Sequence, residues 1–219
     1  MLALGGGRSA RGFTLIELMV ALAVFGIILA LGLPKMTLWV LQNKSRGASE
    51  FYAEGFRLAR QQAISHNAES RILLTPNPDN GQMDWQIDLC FPIASACSSA
   101  SGAWSTPTAP AANERDPAGA FLSIFRAATS LPQSEVLTPT LLPANSSGVY
   151  FNSRGWIDNS FSYTNLTWLQ FDPAPAYAGE LHAAALVLSL AGSATKCEPN
   201  ASAGDSRACP QVPPGPPIH

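Results

Sequence analysis

The chain has 219 residues, a formal net charge of −2 and a charged fraction of only 13%. It carries neither an acidic nor a basic tail, so its overall charge does not indicate a nucleic-acid-binding protein. The length beyond an apolar N-terminal segment is enough for one compact domain with a hydrophobic core. The 17 glycines and 18 prolines favour a loop-rich, strand-rich domain over a helical bundle.

The N-terminal region predicts a leader followed by a membrane-spanning helix. Residues 1–12 are glycine-rich and basic, which is typical of a cleaved leader. Residues 13–33 contain one charged residue, Glu17, and no proline, and they are long enough to cross a bilayer as a helix. Two arginines precede this segment, which places the N-terminus in the cytoplasm and the rest of the chain beyond the inner membrane. Cleavage after Gly12 would keep the apolar segment on the mature protein.

Residues 34–68 are expected to continue the helix with an amphipathic pattern, after a bend at Pro34. Small and aromatic residues recur on one face at a 3.6-residue period: Ala48, Tyr52, Phe56, Ala59 and Ala63. Charged and polar residues occupy the opposite side: Glu50, Glu54, Arg57 and Gln61. Glu54 and Arg57 are spaced to form an ion pair. The apolar face is typical of a helix that packs on a sheet.

Residues 69–209 are predicted to form a β-rich globular domain. Strands are expected at 70–76, 84–91, 166–172 and 182–192, with a hairpin at 148–158 that turns at Asn152–Gly155. Residues 120–127 fit either a strand or a short helix, 94–119 predict a surface loop, and 210–219 predict a flexible proline-rich tail. The expected class is α+β, a long N-terminal transmembrane-plus-amphipathic helix packed on a mostly antiparallel sheet.

Four cysteines follow the apolar segment as two local pairs, Cys90 with Cys97 and Cys197 with Cys209. In an oxidising compartment such spacing favours two loop-closing disulfides. Free thiols, a zinc site and the other two pairings are alternatives that the sequence leaves open. The sequence has no C-x-x-C and its three histidines are scattered, so we expect neither a metal nor a cofactor.

The stretch GFTLIELMVALAV, residues 12–24, closely resembles the signal of type IV prepilins and pseudopilins. The resemblance implies that a prepilin peptidase cleaves between Gly12 and Phe13 and methylates the new amine of Phe13. It also implies partners, namely other pilin or pseudopilin subunits, an inner-membrane assembly platform and the lipid bilayer. The expected protein is a bacterial single-pass inner-membrane protein with a periplasmic C-terminal domain, which enters a filament on assembly.

The same resemblance makes Glu17 an assembly residue. A carboxylate deep in lipid costs about 2.5–3.5 kcal/mol on the insertion scale. In a filament, Glu17 would face the amine of Phe13 on an adjacent subunit, which removes two poorly solvated charges together. The pairing would also fix the axial register between neighbouring helices. A polar residue that is merely tolerated near the interface is the alternative.

Three further stretches resemble H-type pseudopilins and related minor pilins. They are FRLARQQAISHN (56–67), VYFNSRGWI together with ALVLSLAG as paired late strands, and GDSRAC (204–209). This resemblance implies a structural minor subunit of a type IV pilus-like filament, which serves type II protein secretion or type IV pilus biogenesis.

A DNA-binding minor pilin for DNA uptake is the alternative within the same family. Some minor pilins of this group bind DNA through a G-R-x-R motif, but here Ser193 and Thr195 stand where its arginines would be. Lys196, Arg154 and Arg207 are the remaining candidates for phosphate contacts, and they are dispersed in sequence.

An enzyme and a simple anchored periplasmic protein are the rivals of other classes. The sequence has no G-x-S-x-G, no H-E-x-x-H and no phosphate loop, so we expect no catalytic residues. His66 and His182 are expected to be a helix-end residue and an exposed residue. A simple anchored protein would show no processing at Gly12 and no effect of changing Glu17 to alanine.

Overall fold

The protein is described by a computed structural model that covers residues 13–92, 97–99, 103–111, 121–161, 163–202 and 204–210. The chain divides into two compact units, Met1–Val40 and Leu41–His219. One helix, α1 (Leu15–His66), contributes residues to both units. The predicted leader and the tail from residue 211 onward lie outside the described residues, and so does much of the predicted loop at 94–119.

In the N-terminal unit, α1 is long and apolar enough to cross a membrane, with a mean hydropathy of 2.6 over its most apolar window. None of that window is buried within the chain. The one helix with these properties in the described residues matches the predicted span at 13–33. The helix continues through Pro34 without a break in its assignment.

In the globular unit, α1 buries the predicted apolar face completely. Ala48, Tyr52, Phe56, Ala59 and Ala63 all have an exposed fraction of 0%. The opposite side is exposed as expected. Glu54 nevertheless forms its ion pair with Arg126 on a neighbouring strand, at 3.6 Å, rather than the predicted pair with Arg57.

A C-terminal cap ends α1 where the sequence predicts. Asn67 has a φ of 47°, the left-handed conformation that asparagine tolerates. The N–H of Ala68 donates to the carbonyl oxygen of Ala63 at 3.1 Å, and that of Asn67 donates to Ile64 at 3.3 Å. These two bonds form a Schellman motif, which satisfies carbonyl groups of the last turn and turns the chain into the first strand.

Eight strands follow the helix in the described residues. They are β1 (Glu69–Pro76), β2 (Met83–Cys90), β3 (Ile124–Arg126), β4 (Leu137–Leu142), β5 (Gly148–Phe151), β6 (Trp168–Pro173), β7 (Ala184–Leu188) and β8 (Ala194–Cys197). A short 3₁₀ helix, Pro175–Tyr177, connects β6 to β7. The strands form two antiparallel sheets, with orders β3-β2-β1-β5 and β4-β6-β7-β8.

The α+β class is therefore confirmed, but the strands form two sheets where one was expected. The ambiguous segment 120–127 contains a strand, β3. The expected pairing of the two late stretches is wrong, because β5 lies in the first sheet and β7 in the second. Residues 152–155 form the predicted turn, with the Gly155 N–H donating to the Asn152 carbonyl oxygen at 2.8 Å.

The principal core joins the globular half of α1 to both sheets. Tyr52 stacks on Phe171 of β6 with ring centroids 5.1 Å apart, and Phe51 lies 5.8 Å from Trp85 of β2. The Tyr52 hydroxyl accepts a hydrogen bond from the Met83 N–H at 2.9 Å. Burial raises the pKa of the Tyr52 phenol. The helix is thus the common packing surface for two sheets that hydrogen-bond separately.

Both predicted disulfides are present, Cys90–Cys97 and Cys197–Cys209. None of the four cysteines is free, and no cluster of potential metal ligands occurs among the described residues. The second bridge joins β8 to a C-terminal loop, where the Glu198 N–H donates to the Arg207 carbonyl oxygen at 2.7 Å.

Candidate assembly site

The N-terminus of α1 is capped by a side chain that the sequence analysis did not single out. The Thr14 hydroxyl oxygen accepts a hydrogen bond from the Glu17 N–H at 3.3 Å, and the Thr14 carbonyl oxygen accepts one from the Leu18 N–H at 3.2 Å. Thr14 and Glu17 have the spacing of a capping box, in which the cap satisfies a backbone donor of the first turn. The T-x-x-E pattern ahead of an apolar run was the signal available in the sequence.

This position gives the Glu17 carboxylate a local role. Glu17 lies in the first turn of α1. A negative charge there interacts favourably with the positive end of the helix dipole. The helix dipole therefore explains part of why a carboxylate occurs at this position. Experiments must separate this local effect from charge pairing between subunits.

The surface around Glu17 is apolar on every side of the helix. Large apolar side chains are exposed at most positions from 13 to 22, so they cover all faces of the helix. They are Phe13 (84%), Leu15 (79%), Ile16 (69%), Leu18 (57%), Met19 (61%), Val20 (57%) and Leu22 (61%). A helix that is apolar all round needs an apolar environment, which lipid or neighbouring helices supply.

Gly12 lies outside the described residues, so its cleavage and the methylation of Phe13 stay predictions.

The three cations considered for DNA contacts do not form a free basic cluster. Lys196 forms an ion pair with Glu50 of α1. Arg207 pairs with Glu198 at 3.0 Å and with Asp205 at 2.9 Å, and it lowers the pKa of the Asp205 carboxyl through its hydrogen bonds. Arg154 is exposed and has no ion pair among the described residues. Two of the three candidates therefore already have carboxylate partners.

Two carboxylates and one histidine of the globular unit have structural partners. Asp84 accepts hydrogen bonds from the Asn77 side chain and the Ala128 N–H, both at 2.7 Å. Asp172 accepts from the Gln170 side chain at 2.7 Å. The His66 ring packs edge-on against Phe121 with a centroid separation of 4.6 Å. His182 is exposed, as expected.

An ion pair with a buried carboxylate joins two strands of the first sheet, and sequence reasoning missed it. Arg71 of β1 and Asp88 of β2 are directly opposite each other, with Nε and Oδ2 2.8 Å apart. Asp88 also accepts from the Gln86 amide at 2.7 Å and the Ser123 hydroxyl at 2.6 Å. The Arg71 guanidinium lies 4.5 Å from the centre of the Trp104 ring. The pair thus fixes β1 to β2 and ties in the chain around residue 104.

One carboxyl group of the globular unit is poorly solvated. Glu69 begins β1, and its Oε2 atom is buried without a hydrogen-bond partner among the described residues. Burial, with a smaller contribution from the charge of Asp158, raises the pKa of Glu69 from 4.5 to about 7. The folded protein therefore holds this proton more tightly than the unfolded chain does.

Replacing Glu69 with glutamine should flatten the pH dependence of stability. Because the folded pKa is raised, the wild-type domain should lose stability as the pH rises from about 4.5 to about 7. Glu69→Gln should remove that loss and raise the melting temperature above pH 7 relative to wild type. Thermal unfolding of the full chain in detergent at several pH values measures this. Parallel pH profiles for the two proteins would contradict the assignment.

Two family models match the chain, one at its apolar N-terminus and one over most of the globular unit. The prokaryotic N-terminal methylation motif matches residues 7–33. The family of the type II transport protein GspH matches residues 48–192, which is more than half of the chain. No curated protein and no solved structure matches the chain significantly.

A long apolar N-terminal helix that begins within a methylation motif and continues into a helix-and-sheet domain defines a type IV pilin-like protein. Within that class, the chain belongs to the GspH family of type II secretion pseudopilins. Membership implies assembly with other pilins, processing by a prepilin peptidase and anchoring by a single N-terminal span.

Proposed function

We propose that the chain is a structural minor subunit of a filament assembled from the inner membrane, and that the filament serves type II protein secretion. The match to the GspH family over the globular unit carries this proposal. The all-round apolar surface of α1 supports it, because such a surface suits both a lipid-stored and a helix-packed state. In the proposed topology the N-terminus is cytoplasmic and the globular unit periplasmic.

The proposed mechanism is mechanical rather than catalytic. Subunits are inserted in the bilayer and are extracted from it into the filament as their N-terminal helices pack together. Pairing of Glu17 with the methylated amine of Phe13 on an adjacent subunit sets the register of each addition. The apolar segment passes from lipid to a helical core of similar polarity, so the transfer releases little hydrophobic free energy. Directional extraction therefore requires an assembly platform and an energy source outside this chain.

Deletion of the gene in its native host separates the two filament systems. We expect the deletion strain to retain folded secreted enzymes in the periplasm, with pilus-dependent surface motility unchanged. The full chain supplied on a plasmid should restore secretion. Loss of motility with normal secretion would reject the type II assignment and move the subunit to a type IV pilus. Measuring enzyme activity in the medium and in the periplasm distinguishes these results.

A further inference from the structure

We propose that Ile64, Arg154, Trp156 and Leu190 form a docking surface, here called the Trp156 surface, for an acidic face of a different pilin-type subunit. This inference rests on the proposed function, because it names the contact by which the globular unit is held in the filament. All four residues belong to the globular unit.

Two turns and the end of α1 meet at residues 155–157. A Cβ atom at Gly155 would lie 2.6 Å from Cδ1 of Ile64, so the 152–156 turn packs directly on the helix. The Ile157 N–H donates to the Leu190 carbonyl oxygen at 3.0 Å, which joins this turn to the 189–192 turn. The Arg60 Nε donates to the Gly155 carbonyl oxygen at 3.1 Å. The three segments are therefore fastened together by packing and by hydrogen bonds.

The backbone at this junction is held in conformations that require glycine. Gly155 and Gly192 each have a φ of 76°. A Cβ atom at Gly192 would lie 2.2 Å from the Gly155 carbonyl oxygen. The Asn152 side chain accepts hydrogen bonds from the Arg154 N–H at 3.0 Å and the Trp156 N–H at 3.1 Å. Such close packing leaves the turns little freedom to rearrange.

Large apolar side chains are nevertheless exposed on this rigid frame. Trp156 is 58% exposed, Leu190 is 70% exposed and Ile64 is 48% exposed. A tryptophan with aliphatic and arginine neighbours on a preorganised backbone has the composition of an interface hot spot. Preorganisation matters because little conformational entropy remains to be lost on binding.

The charges beside the Trp156 surface favour an acidic partner. Arg154 and Arg57 are exposed, and neither has an ion pair among the described residues. The two carboxylates of the adjacent helix face are already engaged, Glu50 by Lys196 and Glu54 by Arg126. Two copies of this chain that met through the same surface would oppose arginines, and like charges at an interface are costly. The complementary occupant is therefore a different subunit that presents carboxylates around an apolar patch.

Site-specific photocrosslinking in living cells tests the proposal. The full chain would carry p-benzoylphenylalanine at position 156 or, as a matched control, at position 125. Phe125 is 50% exposed on β3, at the opposite edge of the first sheet from β5. We expect irradiation to give an adduct from position 156 that contains another pilin-type subunit, identified by mass spectrometry, with little from position 125. Adding Arg154→Glu should reduce the position-156 adduct by at least about tenfold.

The same cells separate failure of this inference from failure of the proposed function. The mass of the mature N-terminus reports whether the chain is processed as a pilin. A processed chain that gives no adduct from position 156, equal adducts from both positions, or an adduct only with itself would overturn the docking proposal alone. Nucleic acid crosslinked at position 156 in place of protein would also overturn it.

Discussion

Replacing Glu17 with alanine is expected to reduce incorporation of the subunit into filaments by at least about tenfold. With the proposed pairing, the change would leave the Phe13 amine of a neighbour without its carboxylate in an apolar environment, where an unpaired charge costs well over 1.4 kcal/mol. Cleavage after Gly12 should continue, because the cleavage position itself is unchanged. The measurement is the amount of the chain in sheared or co-purified filaments relative to its amount in membranes.

Two further variants separate charge pairing from helix capping. Glu17→Gln replaces the carboxylate with a neutral amide of similar shape. It should reduce incorporation into filaments as much as Glu17→Ala does. Thr14→Ala removes the hydroxyl that accepts the Glu17 N–H but keeps the carboxylate, and we expect only a modest loss, since an N-cap contributes about 1 kcal/mol. Equal defects in Thr14→Ala and Glu17→Ala, with normal assembly of Glu17→Gln, would show that the Glu17 side chain acts at the helix cap and not through its charge.

Asp88→Ala is expected to destabilise the globular unit strongly. It would leave the partly buried Arg71 guanidinium without its counterion and remove the acceptor for the Gln86 and Ser123 side chains. Breaking a buried pair in this way costs about 3–5 kcal/mol. Thermal or denaturant unfolding of the full chain in detergent measures the loss.

Asp205→Ala is the matched control, because its carboxylate also binds an arginine but lies at the surface of the molecule. Its effect on stability should be much smaller than that of Asp88→Ala, because a solvent-exposed ion pair contributes little. Similar losses for the two variants would contradict the assigned difference between a buried and an exposed pair.

The sequence predicted the long helix well because its two patterns are strong and local. A long apolar run whose one charged residue is Glu17 marks residues 13–33. The 3.6-residue stripe from Ala48 to Ala63 is fully buried as expected. The end of the helix was also predictable, because asparagine at position 67 accepts the left-handed conformation of a C-terminal cap. The two disulfides were predictable for the same reason, because the paired cysteines are only 7 and 12 residues apart in sequence.

The division into two sheets was not predictable by the same means, since it depends on pairing between distant segments. β4 contains Pro139, which argues against a strand unless the strand lies at an edge, where β4 in fact lies. β8 has only four residues and follows the turn at Gly192, so its alternation is too short to recognise. The Arg71–Asp88 pair followed from the β1–β2 register, which strand prediction alone did not fix.

The functional residues also differ in how far the sequence alone could predict them. Gly12, Phe13 and Glu17 are adjacent in sequence, so a motif was enough to propose their roles. The Trp156 surface required the fold, because Ile64, Trp156 and Leu190 come from three separate segments. No short sequence window contains that combination.

The mass of the mature N-terminal peptide is the decisive measurement for this chain. If the chain is processed as a pilin and then assembled through the new amine of its first residue, the mature peptide begins at Phe13 and carries one methyl group on its amine. A mature protein that still carries residues 1–12, or one that is cleaved beyond the apolar segment, would contradict this processing.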